Sequence, residues 1–175
     1  MPNKKQSSNN IDEAHYRYWH LGDSPHEGKL TDLEWCVLRY QQAFERWVVQ
    51  LGAITGLENL NYIEIQLLNV IRMQDRPKTA ASIARQLNRD DIPNIQYVLR
   101  KLVRDGLCEK VSTPGSKSTD FAVTEEGKKM QILYEKELDK SGEAIMKIVS
   151  LNDRQQLIEA ISRLNWTLLK INSIK

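Results

Sequence analysis

The stretch Thr79-Ala-Ala-Ser-Ile-Ala-Arg-Gln-Leu-Asn-Arg-Asp-Asp-Ile-Pro-Asn-Ile-Gln-Tyr-Val-Leu-Arg-Lys-Leu-Val-Arg-Asp-Gly-Leu107 decides how this chain folds. Ile83, Ala84 and Leu87 recur at steps of one, three and four and form the inward side of a short helix over 79–87. Asn88 follows, and asparagine tolerates the left-handed conformation that a tight turn needs. Asp90 or Asp91 can cap a second helix, with Pro93 accommodated in its first turn. Gly106 ends that helix, and Leu102 and Leu107 stand where a Schellman cap places its apolar contact. Two short helices joined by a turn of about four residues make a helix-turn-helix.

The neighbouring sequence completes a domain. Tyr62, Ile63, Ile65, Leu67, Leu68 and Ile71 predict a helix over 60–74, broken by Asp75-Arg76-Pro77. Downstream, Cys108 to Val111, a Pro114-Gly115 turn and Phe121 to Val123 read as a hairpin with a polar tip at 112–119. Helix-turn-helix plus hairpin is a winged helix.

On a wheel of 100° per residue, Ile95, Leu99 and Leu102 gather on one side of the second short helix, with Ile92 and Val98 at the edges. The opposite side carries Tyr97, Arg100, Lys101 and Arg104, with Asn94 and Gln96 on the shoulders. Amide side chains bond adenine edges in pairs, and Arg or Lys reaches guanine acceptors or phosphates. Asn94, Gln96, Tyr97 and Lys101 are therefore the expected base contacts, and Arg100 and Arg104 the expected phosphate contacts. The segment from Lys78 to Lys117 holds eight Lys or Arg against four acids, +4, and leaves −2 for the remainder of a chain whose total is +2. A basic island between acidic flanks is the footprint of a polyanion-binding surface.

The flanks read differently. Leu33, Val37, Tyr40, Phe44, Trp47, Leu51 and Ile54 alternate steps of four and three, a heptad seam in a helix expected to run from a Thr31/Glu34 capping box to Gly56. Tyr134, Leu138, Ser141, Ile145 and Ile148 repeat the pattern, as do Leu157, Ile161, Leu164, Leu168 and Ile171, the last helix with Asn152 and Gln155 as its expected cap. Seams of this length overhang the core of one small domain, and a second copy of the chain is the simplest cover, with an intramolecular bundle of the three helices as the alternative. Residues 1–30 read as a flexible arm with an aromatic patch at Tyr16 to Trp19.

The whole chain agrees with this division. It has 175 residues, 41% hydrophobic and 27% charged, with only 8 Gly and 5 Pro, too few for a strand-and-turn protein. No run of 18 apolar residues exists, so no membrane span is expected, and no secretory signal opens the chain. Cys36 and Cys108 make neither a disulfide framework nor a zinc site, and His15, His20 and His26 lie at irregular spacings without a cysteine nearby. Both cysteines read as small apolar residues of the interior. No nucleophile–base pair, phosphate loop or carboxylate cluster suggests an enzyme, and no cofactor is expected.

The stretches 79–87 and 93–107, followed after the hairpin by Thr124-Glu-Glu-Gly127, resemble the MarR family of bacterial transcription regulators. In helix order the resemblance covers about 31–172, with its residue-level match in 79–127. It implies a mainly α fold with a small β-wing: a winged helix-turn-helix with helix-turn-helix and wing at 60–123 and long dimerisation helices at 31–55 and 124–173. It implies a homodimer on a pseudo-palindromic operator in double-stranded DNA, usually a repressor, and the lack of a span and of a secretory signal sets the expected location as cytoplasmic. In many members a small aromatic acid between the dimer helices and the winged helix releases the DNA, and others sense oxidants through a cysteine. The wing departs from the family's Asp-x-Arg motif. Its tip, Thr113 to Thr119, holds Lys117 as its one cation, and lysine suits a narrow minor groove less well than arginine. Lys117 is thus the expected wing contact, to phosphate rather than to base edges. The competing expectation is a winged helix that has lost DNA binding and serves as a protein-interaction module.

Overall fold

A computed structural model describes residues 25–112 and 118–172. The arm with its aromatic patch, the Pro114-Gly115 turn and Lys117 lie outside the described residues. The elements in chain order are α1 (Pro25–Ile54), α2 (Tyr62–Arg72), a 3-10 turn (Met73–Asp75), β1 (Lys78–Thr79), α3 (Ala80–Gln86), α4 (Ile92–Arg104), β2 (Cys108–Val111), β3 (Asp120–Val123), α5 (Glu125–Ile148) and α6 (Leu151–Asn172). No helix among the described residues is long and apolar enough to cross a membrane. The chain divides into two units, one up to Val48 and one from Val49 onward.

In the first unit, α1 starts earlier than the sequence suggested. Thr31 and Glu34 lie inside it and not at its cap, and Pro25, whose fixed φ suits a first turn, stands at its start. Along its seam the rings of Tyr40 and Phe44 stack at 5.9 Å, and those of Phe44 and Trp47 tilt together at 5.6 Å. Leu33, Val37 and Tyr40 are exposed.

The second unit opens on the end of α1, where Gly56 takes a positive φ and the Leu57 N–H bonds the Gly52 carbonyl. Asn61 and Glu64 then form a reciprocal capping box that starts α2. The core sits where α2, α3 and α4 meet: Ile65, Leu67, Leu68, Ile71, Ile83, Ile95, Leu99 and Leu102 are at most 1% exposed. Burial of this order contributes about 1.5–3 kcal/mol per side chain before entropy is counted.

A three-stranded antiparallel sheet of order β1-β3-β2 flanks the core. Cys108 pairs with Val123 and Val111 with Asp120, as a hairpin requires. On the other side of β3, Lys78 pairs with Phe121. β1 has two residues, too short to show an alternating pattern in the sequence.

Two helix ends are held by buried side chains. Lys78, 3% exposed, donates from Nζ to the carbonyls of Ile71 (2.9 Å), Arg76 (3.3 Å) and Met73, closing the C-terminus of α2 with a cation. Burial lowers its pKa from the ordinary lysine value. Gln131 of α5, fully buried, donates to the Leu68 carbonyl (2.9 Å) and to Asn69 Oδ1 (3.2 Å), tying α5 to α2. Ser150 starts α6, its Oγ accepting from the Asp153 N–H. This replaces the expected Asn152/Gln155 cap, since residue 152 already lies within the helix. No residue of α6 is buried, and Leu157, Ile161, Leu164, Leu168 and Ile171 are exposed.

Candidate nucleic-acid interface

The helix-turn-helix is α3, the turn 87–91 and α4. Thr79 caps α3, its Oγ1 accepting from the Ser82 N–H at 3.0 Å. Asn88 has φ 52°, the left-handed turn residue that the sequence suggested. Asp91 stands at the N-cap of α4, but its side chain bonds no helix N–H. Instead it takes the Arg89 guanidinium in two hydrogen bonds, one of 2.8 Å from Nε to Oδ1, and accepts from Asn94 Nδ2 at 3.1 Å. The Arg89 guanidinium holds the Asp91 carboxyl down at about 2.

The far end of α4 closes as the sequence indicated. Gly106 has φ 75°, its N–H bonds the Val103 carbonyl, and the Leu107 N–H bonds the Leu102 carbonyl. Those are the two bonds of a Schellman cap. Thr124 continues the chain of support. Its Oγ1 donates to the Gly106 carbonyl at 2.6 Å and accepts from the Gly127 N–H at 3.1 Å, so one hydroxyl joins the end of α4 to the start of α5.

Between these ends, α4 buries Ile95, Val98, Leu99 and Leu102 and presents the opposite side to solvent. Asn94, Gln96, Tyr97, Arg100 and Arg104 are all exposed, Tyr97 by 60%. Arg104 Nε lies 3.5 Å from Asp105, in an open setting where such a pair contributes little. Five of the residues read from the sequence thus share one open helix face.

Lys101 lies on the same side of the helix but is not open. Its Nζ lies 2.7 Å from Glu64 Oε2, donates to the Asn59 carbonyl at 3.1 Å and stands 3.5 Å from Asp105. The structure turns this side chain toward the N-terminus of α2, where it is engaged within the protein. The wheel gives the side of α4 that a residue occupies and not the reach of a long side chain, and Lys101, on the polar side, extends to a neighbouring helix. The partner had a sequence signal, because Asn61 and Glu64 have capping-box spacing. The Arg89–Asp91 clasp had only two adjacent-but-one charges to announce it.

Of the cysteines, Cys108 is buried in β2, its thiol pushed up to about 12 by burial, and Cys36 is exposed on α1. The exposed position corrects the expectation that Cys36 is interior. Among the described residues no group of three or more His, Cys, Asp or Glu is placed to hold a metal ion.

Residues 60–127 match a family described as a winged helix DNA-binding domain. No curated protein sequence matches the chain. Solved structures do. The Staphylococcus aureus MepR–DNA complex shares 15% identity and covers 77% of this chain and 95% of its own, with a TM-score of 0.67. A MarR-family regulator from Rhodococcus sp. RHA1 shares 15% over 82% of this chain and 96% of its own, with a TM-score of 0.64. Staphylococcus aureus MarR in complex with salicylate and kanamycin shares 17% over 81% and 94%, with a TM-score of 0.62. The resemblance read from residues 79–127 therefore holds for the DNA-binding domain and for the fold around it. Residues 60–127 are thus similar to a winged helix DNA-binding domain, and the fold that surrounds them is shared with the MarR-family transcription regulators.

Proposed function

We propose that this protein is a sequence-specific DNA-binding transcription regulator, a homodimeric repressor that recognises a pseudo-palindromic operator in the cytoplasm. The observation that carries the reading is α4: a helix closed at its C-terminus by a Schellman cap, with one apolar face in the core and Asn94, Gln96, Tyr97, Arg100 and Arg104 open on the other. Asn94, Gln96 and Tyr97 lie toward its N-terminal half, the part that enters a major groove, and are assigned to base edges. Arg100, Arg104 and Lys117 are assigned to phosphates. The exposed seams of α1 and α6 support the dimer, whose two-fold axis sets the half-site spacing at about one helical turn. A structural relative holds salicylate, and a small aromatic acid is accordingly the class of effector we assign.

A titration of the full chain against random and selected duplexes over a range of salt tests the reading. Binding is expected to weaken steeply as salt rises. Lys117→Ala is expected to weaken every duplex alike and to flatten the salt slope by about one unit, whereas Tyr97→Ala and Asn94→Ala alter preference at one position of each half-site. No binding to any duplex at low salt rejects the regulator and leaves the interaction module.

A further inference from the structure

We infer that Lys101 is the positioning residue that sets the rotation of the DNA-reading helix, acting through its ion pair with Glu64 rather than through DNA. The inference rests on the reading of α4 as the element that meets DNA.

The ammonium is engaged within the protein, its side chain 20% exposed. Its Nζ donates to Glu64 Oε2 at 2.7 Å and to the Asn59 carbonyl at 3.1 Å, with Asp105 Oδ2 3.5 Å away. Its partner is nearly out of solvent, the Glu64 side chain being 6% exposed. Withdrawing Lys101 to reach a phosphate strands that carboxylate on its one remaining bond, from the Asn61 N–H. A buried charge without its partner is strongly unfavourable, so the side chain stays where it is.

The pair does what the apolar contact of α2 and α4 cannot. Leu and Ile surfaces attract without direction, and small rotations between them change the buried area little. A charge-assisted bond of 2.7 Å between a residue near the end of one helix and one at the start of another has a single good geometry. Glu64 is itself fixed, because the same oxygen closes the capping box of α2. Lys101 follows Tyr97 by four residues and Asn94 by seven, so all three lie along one side of the helix. Fixing Lys101 therefore fixes the azimuth at which Tyr97 and Asn94 leave α4. A buried ion pair of this kind adds little net stability but specifies one arrangement among several of similar energy.

The experiment compares Lys101→Met, Glu64→Gln and the double variant Lys101→Gln/Glu64→Gln with the wild-type full chain. Each is titrated over a range of salt on a duplex selected by the wild type and on a random duplex. Positioning predicts that both single variants lose about tenfold or more on the selected duplex, the scale of a lost base contact, while random-duplex affinity and salt slope stay at the wild-type values. The double variant, which keeps a neutral hydrogen bond between the two sites, is expected to recover part of the loss, so a poorly folded single variant does not decide the matter. If Lys101→Met instead flattens the salt slope by about one unit on both duplexes and Glu64→Gln binds like wild type, Lys101 is a phosphate contact and the inference is overturned. Failure of the wild type to bind any duplex rejects the regulator reading itself, and is recognised before any variant is made.

Discussion

Asp91 shows how one carboxylate can carry the geometry of a turn. It stands at the head of α4 without capping it, because Arg89 and Asn94 occupy both of its oxygens. A carboxyl held at about 2 in the folded chain, against about 4 unfolded, binds fewer protons when folded across that interval. Its stabilising contribution is therefore complete above pH 4 and is lost as pH falls toward 2. Urea unfolding of wild type and Asp91→Asn at a series of pH values checks this. Wild type is expected to be the more stable at neutral pH, with the gap closing through that acidic window. A gap independent of pH contradicts the role given to Arg89. The residue scale was only partly legible from sequence: Asp90 or Asp91 was expected to cap α4, whereas Asp91 stands at the N-cap position without a capping bond, held in a clasp between side chains two positions apart.

At the scale of elements, α4 and α5 are joined more tightly than their hydrogen bonds alone suggest. A Cβ added to Gly127 in the first turn of α5 meets the Leu107 carbonyl oxygen at 2.3 Å and Val123 Cγ1 at 2.7 Å. The oxygen belongs to backbone already pinned by the Schellman cap, so it cannot give way cheaply. Gly127→Ala is expected to cost about 1–3 kcal/mol, read as a lower urea midpoint at unchanged m value. Gly142→Ala, in the same helix with nothing within 4 Å of the new methyl, is the control and is expected to be neutral or stabilising by about 0.5–1 kcal/mol. Equal losses in both variants reject the close-approach account. Elements were the most legible scale. The helix-turn-helix, its left-handed Asn88, its Gly106 cap and the hairpin all follow from local rules that the sequence displays. What escaped was β1, whose two residues carry no period, and the start of α1, where a good capping box at Thr31 was overridden by a helix already under way from Pro25. Lys101 escaped for a related reason: amphipathic patterning separates polar from apolar sides but does not tell a solvated charge from one that reaches a neighbouring helix.

Among the described residues, the seams of α1 and of α6 each leave apolar side chains exposed. Five seam residues of α6 are exposed, with Trp166 beside them, and three more seam residues are exposed at the front of α1. Exposed apolar seams of this kind mark association sites. Sedimentation equilibrium at micromolar concentration is expected to give a dimer, and Ile161→Glu with Leu168→Glu a folded monomer that binds a palindromic duplex more weakly than wild type. A monomeric wild type removes the dimer. The two cysteines supply an independent gauge of the same event. The Cys108 thiol, buried and pushed up to about 12, is inert near neutral pH, so an alkylating reagent consumes Cys36 alone. Leu33 stands three residues before Cys36 and Tyr40 four after it, which places the thiol on the flank of the α1 seam. The rate of alkylation thus counts open seams: it falls as protein concentration rises, and its midpoint is the dissociation constant of the dimer, measured without adding a label or changing a residue.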